Sequence, residues 1–328
     1  MYKGKSILIT GGTGSLGKAL TKHIIENFKD IKKLVIFSRD EQKQFVMAQE
    51  FPESKYPFMR YFIGDVRDKD RLARAFKGID FIIHAAAMKH VHIAEYNPDE
   101  CIKTNVGGAQ NVVSAAIESG VSRVVALSTD KACSPINLYG ATKLTSDKLF
   151  VAANMIKGDN PVVFSVVRYG NVMGSNGSVI PFFKKIAEKG IFPVTHPEMT
   201  RFNISIEEGV KLVFFALENA LGGELYVPKI PSYRILDVAK AINENCKVEI
   251  IGVRPGEKIH EEMISSSDSL YTYDVGDKYV ILPSFYKDVK EFANKFKGFK
   301  VEEGFTYNSK ENKIWETLET LKSKIKNL

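Results

Sequence analysis

The chain has 328 residues, enough for one large domain or two joined ones with a sizeable core. Its 44% hydrophobic and 26% charged content is that of an ordinary soluble globular protein, and no apolar run reaches the ~18 residues a membrane span requires. The net charge of +7 comes from scattered basic residues, densest at Lys322, Lys324 and Lys326, so it reads as a solvated face and a small anionic substrate rather than a nucleic-acid surface.

The N-terminal apolar run is too short for a signal peptide and leads into glycines, which predicts a cytoplasmic protein. Residues 7–10 form the first predicted strand and 16–28 the helix after it. Strands follow at 34–37, 60–63, 81–84, 123–127 and 162–167, with helices from 41, at 68–76, 104–119 and 138–154. Apolar strands spaced by helices predict an α/β fold, a Rossmann-type doubly wound parallel sheet covered on both faces. Prolines break the rhythm after Arg168, and 223–227 is a candidate seventh strand rejoining the sheet. The expected division is a cofactor-binding domain at 1–170, rejoined by part of 205–240, and a smaller lobe, mainly substrate-binding, at 171–328. Cys101, Cys133 and Cys246 have no paired spacing, which argues against a disulfide framework or zinc site, and Cys133 lacks a catalytic-cysteine signature. His84, His90 and His92 have no carboxylate at ligand spacing, so no metal is expected.

Gly11, Gly14 and Gly17, in ITGGTGSLGKAL, lie between the first strand and first helix. A tight turn there lets backbone approach a pyrophosphate, and the helix start supplies N–H donors and the positive end of its dipole. Gly11, Thr13, Gly14, Ser15, Leu16 and Gly17 are the candidate contacts. The G-x-x-G-x-x-G spacing resembles that of short-chain dehydrogenases/reductases. At the end of the second strand, Ser38 and Arg39 favour NADP, with Lys43 as a second cation, while Asp40 leaves NAD open. Asp65, beside Val66, is placed to accept from the adenine amine, although an N-cap is the competing role and Asp68 suits that better. Small residues Ala85, Ala86 and Ala87 let backbone pass close to the cofactor.

Tyr139 and Lys143 stand four apart on a predicted helix and share a face. The ammonium is expected to lower the phenol pKa, so that Tyr139 takes a proton from a substrate hydroxyl as hydride leaves the same carbon. Ser128 or Thr129 would hydrogen-bond that hydroxyl. Asp130 and Lys131 add a second acid and base, which fits an elimination. Oxidation acidifies the neighbouring C–H, the amine removes that proton, and the carboxylic acid protonates the leaving hydroxyl. Burial or the neighbouring cations Lys89 and Lys143 are expected to lower the Lys131 pKa, while Asp130 pulls the other way. The bland alternative is a solvated salt-bridged turn.

LSTDKACSPINLYGATKL, VVRYGNVMGSNGSVIPFF, MTRF and IGVRPGEKIHEEM together resemble the inverting UDP-N-acetylglucosamine 4,6-dehydratases, extended short-chain dehydrogenases/reductases that begin pseudaminic acid and related surface-sugar pathways. The resemblance runs over 5–263, and its most specific mark is Thr129-Asp130-Lys131, since the retaining enzymes carry Asp-Glu there. It implies conversion of UDP-N-acetylglucosamine to a 4-keto-6-deoxy sugar inverted at C5. Lys89 would lie near nicotinamide and substrate, Asn171 at the sugar, Val172 at the nicotinamide, and Ser178 and Val179 at the substrate entrance. Arg201 and Arg254 would clamp the diphosphate, and Glu257 would hold the ribose or orient Arg254. His92 stands where a proline is expected and Asn203 where an aromatic is expected, both near the substrate pocket. A UDP-sugar epimerase, a bifunctional dehydratase–epimerase and a non-catalytic NADP-sensing protein are the rival readings. A small-molecule UDP-sugar and a second copy of the chain, in a dimer or hexamer, are the expected partners, with no nucleic acid and no membrane.

Overall fold

The computed structural model describes residues 1–175, 177–286 and 289–328. Six strands pair in parallel: β1 (Ser6–Thr10), β2 (Lys33–Ser38), β3 (Met59–Ile63), β4 (Phe81–His84), β5 (Arg123–Leu127) and β6 (Val163–Val167). Their spatial order, β3-β2-β1-β4-β5-β6, reverses between β1 and β4, the point where open α/β sheets bind dinucleotides. Leu225–Pro228 adds a parallel strand beside β6, as the 223–227 pattern predicts. Beyond it the sheet runs on through Lys278–Ile281, Thr272–Asp274 and Phe299–Lys300, all antiparallel, to ten strands among the described residues. These last three strands were not foreseen, because each is short and mixes apolar with polar residues instead of forming an apolar run.

Ile7, Leu8 and Ile9 of β1, Leu34 to Phe37 of β2, and Ile82 and Ile83 of β4 are fully buried. Burying each such side chain contributes about 1.5–3 kcal/mol, so the centre of the sheet anchors the fold. Helix α1 (Ser15–Asn27) packs on helix Ile206–Asn219, while α2 (Glu41–Glu50) packs on β2 and β3. Helix α3 (Lys69–Ala75) packs on Gly108–Glu118, which in turn packs on Leu138–Ile156. The expected helix at 104–119 instead opens with a π turn, Lys103–Gly107. A second apolar cluster, including Ile180, Phe183, Phe192, Val238 and Leu321, lies outside the main core. A small sheet of Ser232–Arg234, Thr200–Ile204 and Asn171–Val172 carries Arg201, Asn203 and Asn171. Among the described residues no helix is long and apolar enough to cross a membrane.

Candidate active site

Gly11 has φ +66°, and a Cβ there would fall 2.8 Å from the backbone of Ala86, so the glycine loop and the strand-β4 loop touch through backbone alone. A Cβ on Gly17 would lie 2.3 Å from the Gly12 carbonyl oxygen, so only glycine lets α1 start this close to the turn. Gly14 caps α1 without a side chain, and the first turn holds no acid, leaving the first N–H groups to an anion. The Thr13 and Ser38 hydroxyls, 2.9 Å apart, tie the loop to the end of β2. Leu16, just inside α1, packs against the main core. Arg39 follows, half exposed and 3.8 Å from Asp65.

Asp40, the residue that left NAD open, is used by its own helix. It accepts from the Lys43 backbone N–H at 2.9 Å and pairs with Lys43 Nζ at 3.2 Å. Asp65 is engaged as well, accepting from Arg67 N at 2.9 Å and Arg67 Nη2 at 2.7 Å. Asp68 caps α3 through Arg71 N, the role its position suggests. Val66 is buried against Gly108, where a Cβ would sit 2.7 Å away. Thr10 Oγ1 meets His84 Nδ1 at 2.8 Å and accepts from Ala86 N at 3.3 Å, fixing the 85–87 segment. Asn105, in the π turn, brackets Met88, accepting from its N–H at 2.8 Å and donating to its carbonyl at 3.0 Å, next to Lys89. Burial of its ammonium lowers the pKa of Lys89.

The reacting group stands on two elements pressed together. Asn137 caps helix Leu138–Ile156 by accepting from Gly140 N at 2.7 Å. A Cβ at Gly140 would lie 2.1 Å from the Lys131 carbonyl oxygen, so glycine brings the Asp130–Ala132 turn against the helix face bearing Tyr139 and Lys143. Thr129 Oγ1 donates to Asp130 Oδ1 at 2.9 Å and lies near enough to the Tyr139 phenol to draw it toward ionisation. Ser128 instead donates to Asp147 Oδ2 at 2.6 Å, which leaves Thr129 as the hydroxyl facing the reacting group. Burial pushes the Tyr139 phenol up to about 12, with Lys131 and Thr129 pulling the other way. The expected drop caused by Lys143 is therefore not present in the protein alone. Lys143 is buried beside Asp147 and has its own pKa lowered, chiefly by burial.

Lys131 corrects a second expectation. Burial alone would lower its pKa, but Asp130 Oδ1 and Glu261 Oε1, each 3.1 Å from Nζ, outweigh burial and hold the ammonium above its ordinary range. Asp130 is held above the usual carboxylate range by burial, with Glu261 adding to it and Lys131 opposing. The acid and base are therefore in direct contact with Asp130 fully buried, which a solvated turn would not provide. Burial pushes the Cys133 thiol up to about 12, away from the thiolate form a nucleophile needs.

Arg201 is buried, donating to the carbonyls of Thr200 and Ile259 and lying 3.7 Å from Glu261. Arg254 is exposed, on a loop docked by Asn137 Nδ2 donating to the Gly256 carbonyl at 2.7 Å. Asn171 Oδ1, Ser178 Oγ and Glu257 Oε2 are buried without hydrogen-bond partners. Such atoms are rare, and each has room in its bonding for a polar ligand or a water. Ser178 precedes helix Val179–Ile186 yet makes no cap bond, which leaves its hydroxyl for another group. Val172 packs against the main core and Val179 against the second cluster. Asn176, inside VVRYGNVMGSNGSVIPFF, lies outside the described residues. His92 is exposed, whereas Asn203 is buried and donates to Glu316 at 2.7 Å. Among the described residues no cluster of His, Cys, Asp or Glu is arranged for a metal. The sequence reading missed Glu261, and the only signal for it was its place in IGVRPGEKIHEEM. A separate cavity of about 330 Å³ is lined by Cys133, Asp147, Lys148, Arg168 and Asp268, not by Tyr139, Lys131 or Lys143.

A dinucleotide loop at the sheet's switch point, followed by a Thr/Tyr/Lys group, defines an extended short-chain dehydrogenase/reductase. The chain belongs to the polysaccharide biosynthesis protein family, which it matches over residues 7–283. Across 322 residues, 96% of this chain and 95% of its relative, it is 57% identical to the inverting UDP-N-acetylglucosamine 4,6-dehydratase of Campylobacter jejuni subsp. jejuni serotype O:2. It is 43% identical over 288 residues, 86% of this chain and 84% of the other, to the UDP-glucose 4-epimerase of Rickettsia canadensis. The X-ray structure of Pen from Bacillus thuringiensis covers 100% of this chain and 98% of its own at a TM-score of 0.90 and 37% identity.

Proposed function

We propose that the protein dehydrates UDP-N-acetylglucosamine across C5 and C6 with inversion at C5, giving UDP-2-acetamido-2,6-dideoxy-β-L-arabino-hex-4-ulose. The observation that carries this is the buried Asp130–Lys131 pair held against the Tyr139–Lys143 helix face, in a chain 57% identical to an inverting dehydratase. The nicotinamide cofactor supplies hydride acceptance from C4 and its return to C6. Gly11, residues 13–17, Ser38, Arg39, Lys43, Asp65, Val66, residues 85–87 and Lys89 would hold it, with Val172, Tyr139 and Lys143 at the nicotinamide end. We take it to be NADP, because Ser38, Arg39 and Lys43 stand together at the end of β2, where a 2′-phosphate would lie, while Asp40 is committed to its helix.

Tyr139 receives the C4 hydroxyl proton once it is ionised, a form that burial opposes and that Lys131, the largest of the charges acting on its phenol, favours. The ketone acidifies C5–H. Passing one proton from Lys131 to Asp130 across their 3.1 Å contact creates the base and the acid together. Lys131 then takes the C5 proton and Asp130 protonates the departing C6 hydroxyl, which leaves as water. The ammonium returns a proton to C5 from the opposite face as C6 is reduced. Arg201, Arg254 and Glu257 hold the nucleotide, and Asn171 and Ser178 the sugar. The product feeds a surface-sugar route of the pseudaminic acid type.

Incubation with UDP-N-acetylglucosamine, read by proton NMR, tests this reading. A C6 methyl doublet is the expected result. The 43% identity to an epimerase favours a second reading, in which the same incubation yields a C4 epimer with its C6 hydroxymethyl intact.

A further inference from the structure

Glu261 lies outside every role assigned above, yet it is bound into the acid–base pair. Its Oε1 is 3.1 Å from Lys131 Nζ and 3.7 Å from Arg201 Nε, and its Oε2 is buried without a hydrogen-bond partner. The backbone holds it in place: Glu261 N donates to Ser309 Oγ at 2.9 Å, and Ser309 N donates to the Glu261 carbonyl at 2.7 Å. The side chain is 2% exposed and that of Asp130 1%. The group thus holds two carboxylates, Asp130 and Glu261, against two cations, Lys131 and Arg201. Lys258, whose Nζ donates to the Cys133 carbonyl at 2.7 Å, adds a positive charge acting on Glu261 from its own segment. Thr129 and the phenols of Tyr139 and Tyr233 face the group from the other packed elements, and Asp147 acts on Tyr139.

We propose that Glu261 is a positioning residue whose fixed negative charge sets the pH range over which Asp130 and Lys131 exchange their proton, and with it the working pH of dehydration. The inference rests on the dehydratase reading. A fixed negative charge makes a proton harder to remove from each neighbour, so Lys131 and Asp130 both bind protons more tightly than they would without Glu261. Glu261 itself stays ionised, held below the usual carboxylate range because Lys131 and Arg201 outweigh its burial. Replacing it with a neutral residue of the same shape lowers the proton affinity of acid and base together. Both limbs of the pH–rate profile then move the same way, toward lower pH. A residue that only held the fold would lower the rate or stability and leave the profile in place.

The test is kcat against pH at saturating UDP-N-acetylglucosamine, so that changes in binding through Arg201 drop out. The full-length wild-type, Glu261→Gln and Glu261→Asp proteins are compared by NMR of the C6 methyl. Glu261→Gln is expected to move the profile toward lower pH by about one pH unit or more. Glu261→Asp keeps the charge but withdraws it by one methylene, so it gives a smaller move in the same direction and carries the test if Glu261→Gln does not fold. Profiles that superpose on wild type, with only kcat or stability lowered, overturn the inference about Glu261. Absence of a methyl product from the wild-type protein at every pH overturns the dehydratase reading instead.

Discussion

Lys131 sits between two carboxylates, so the resting protein holds it as an ammonium that must release a proton before it acts as a base. If it removes the C5 proton, Lys131→Ala blocks elimination while Thr129, Tyr139 and Lys143 remain to oxidise C4, more slowly for loss of the Lys131 charge on the phenol. Product formation should fall about 10²–10⁴-fold, with a transient rise in reduced-cofactor absorbance near 340 nm. In deuterated water the wild-type protein should place deuterium at C5 and, in early product, none in the C6 methyl. Near-normal dehydration by Lys131→Ala would reduce the pair to a structural ion pair. The spacing of Tyr139 and Lys143 and the adjacency of Asp130 and Lys131 were legible, because each is local. The charges that decide their protonation were not: Glu261 arrives from a distant segment, and the burial that holds Tyr139 up to about 12 comes from tertiary packing.

Between elements, contact distances decide what is tolerated. Gly140 admits the Asp130–Ala132 turn to the helix that starts at Leu138, and a methyl there would sit 2.1 Å from the Lys131 carbonyl oxygen. Gly140→Ala is therefore expected to cost about 1–3 kcal/mol by chemical denaturation and to lower kcat as well, since turn and helix must part. Unchanged values for both would mean that the turn moves aside freely. The β1–β4 neighbourhood gives a pH prediction. Burial pushes His84 down to about 3, so the unfolded chain, with an ordinary imidazole, binds its proton first. The contribution of neutral His84 is fully present above about pH 6.5 and is lost as pH falls toward 3. Denaturation midpoints should show this slope, and His84→Gln should flatten it. The parallel strands were readable from their apolar runs. The π turn at Lys103–Gly107 was not, because its cause is Asn105 reaching back to Met88.

At the scale of the whole molecule, two parts of the chain meet at one site. Residues up to 167 build the first six strands of the sheet and the cofactor loops, while Arg201 and Glu261 come from later segments that no local pattern places beside Lys131. The halves should therefore respond to different ligands. At a hundred times its Kd, a ligand stabilises the folded chain by about 2.7 kcal/mol, which at roughly 2 °C per kcal/mol for a chain this long is a rise in Tm of about 5 °C. UDP should give such a rise in the wild-type protein and much less in Arg254→Ala, whose KM for the UDP-sugar should also increase. NADP should stabilise Arg254→Ala as it does wild type. In Arg39→Ala the pattern should reverse, with the UDP shift kept and the NADP shift reduced far more than any shift from NAD. An Arg254→Ala protein with the full UDP shift would leave that guanidinium as a surface charge. Equal losses of NADP and NAD stabilisation in Arg39→Ala would remove Arg39 from the choice of cofactor. Because hydride taken from C4 returns to C6, the cofactor should also stay bound through many turnovers, so one equivalent should support many equivalents of product.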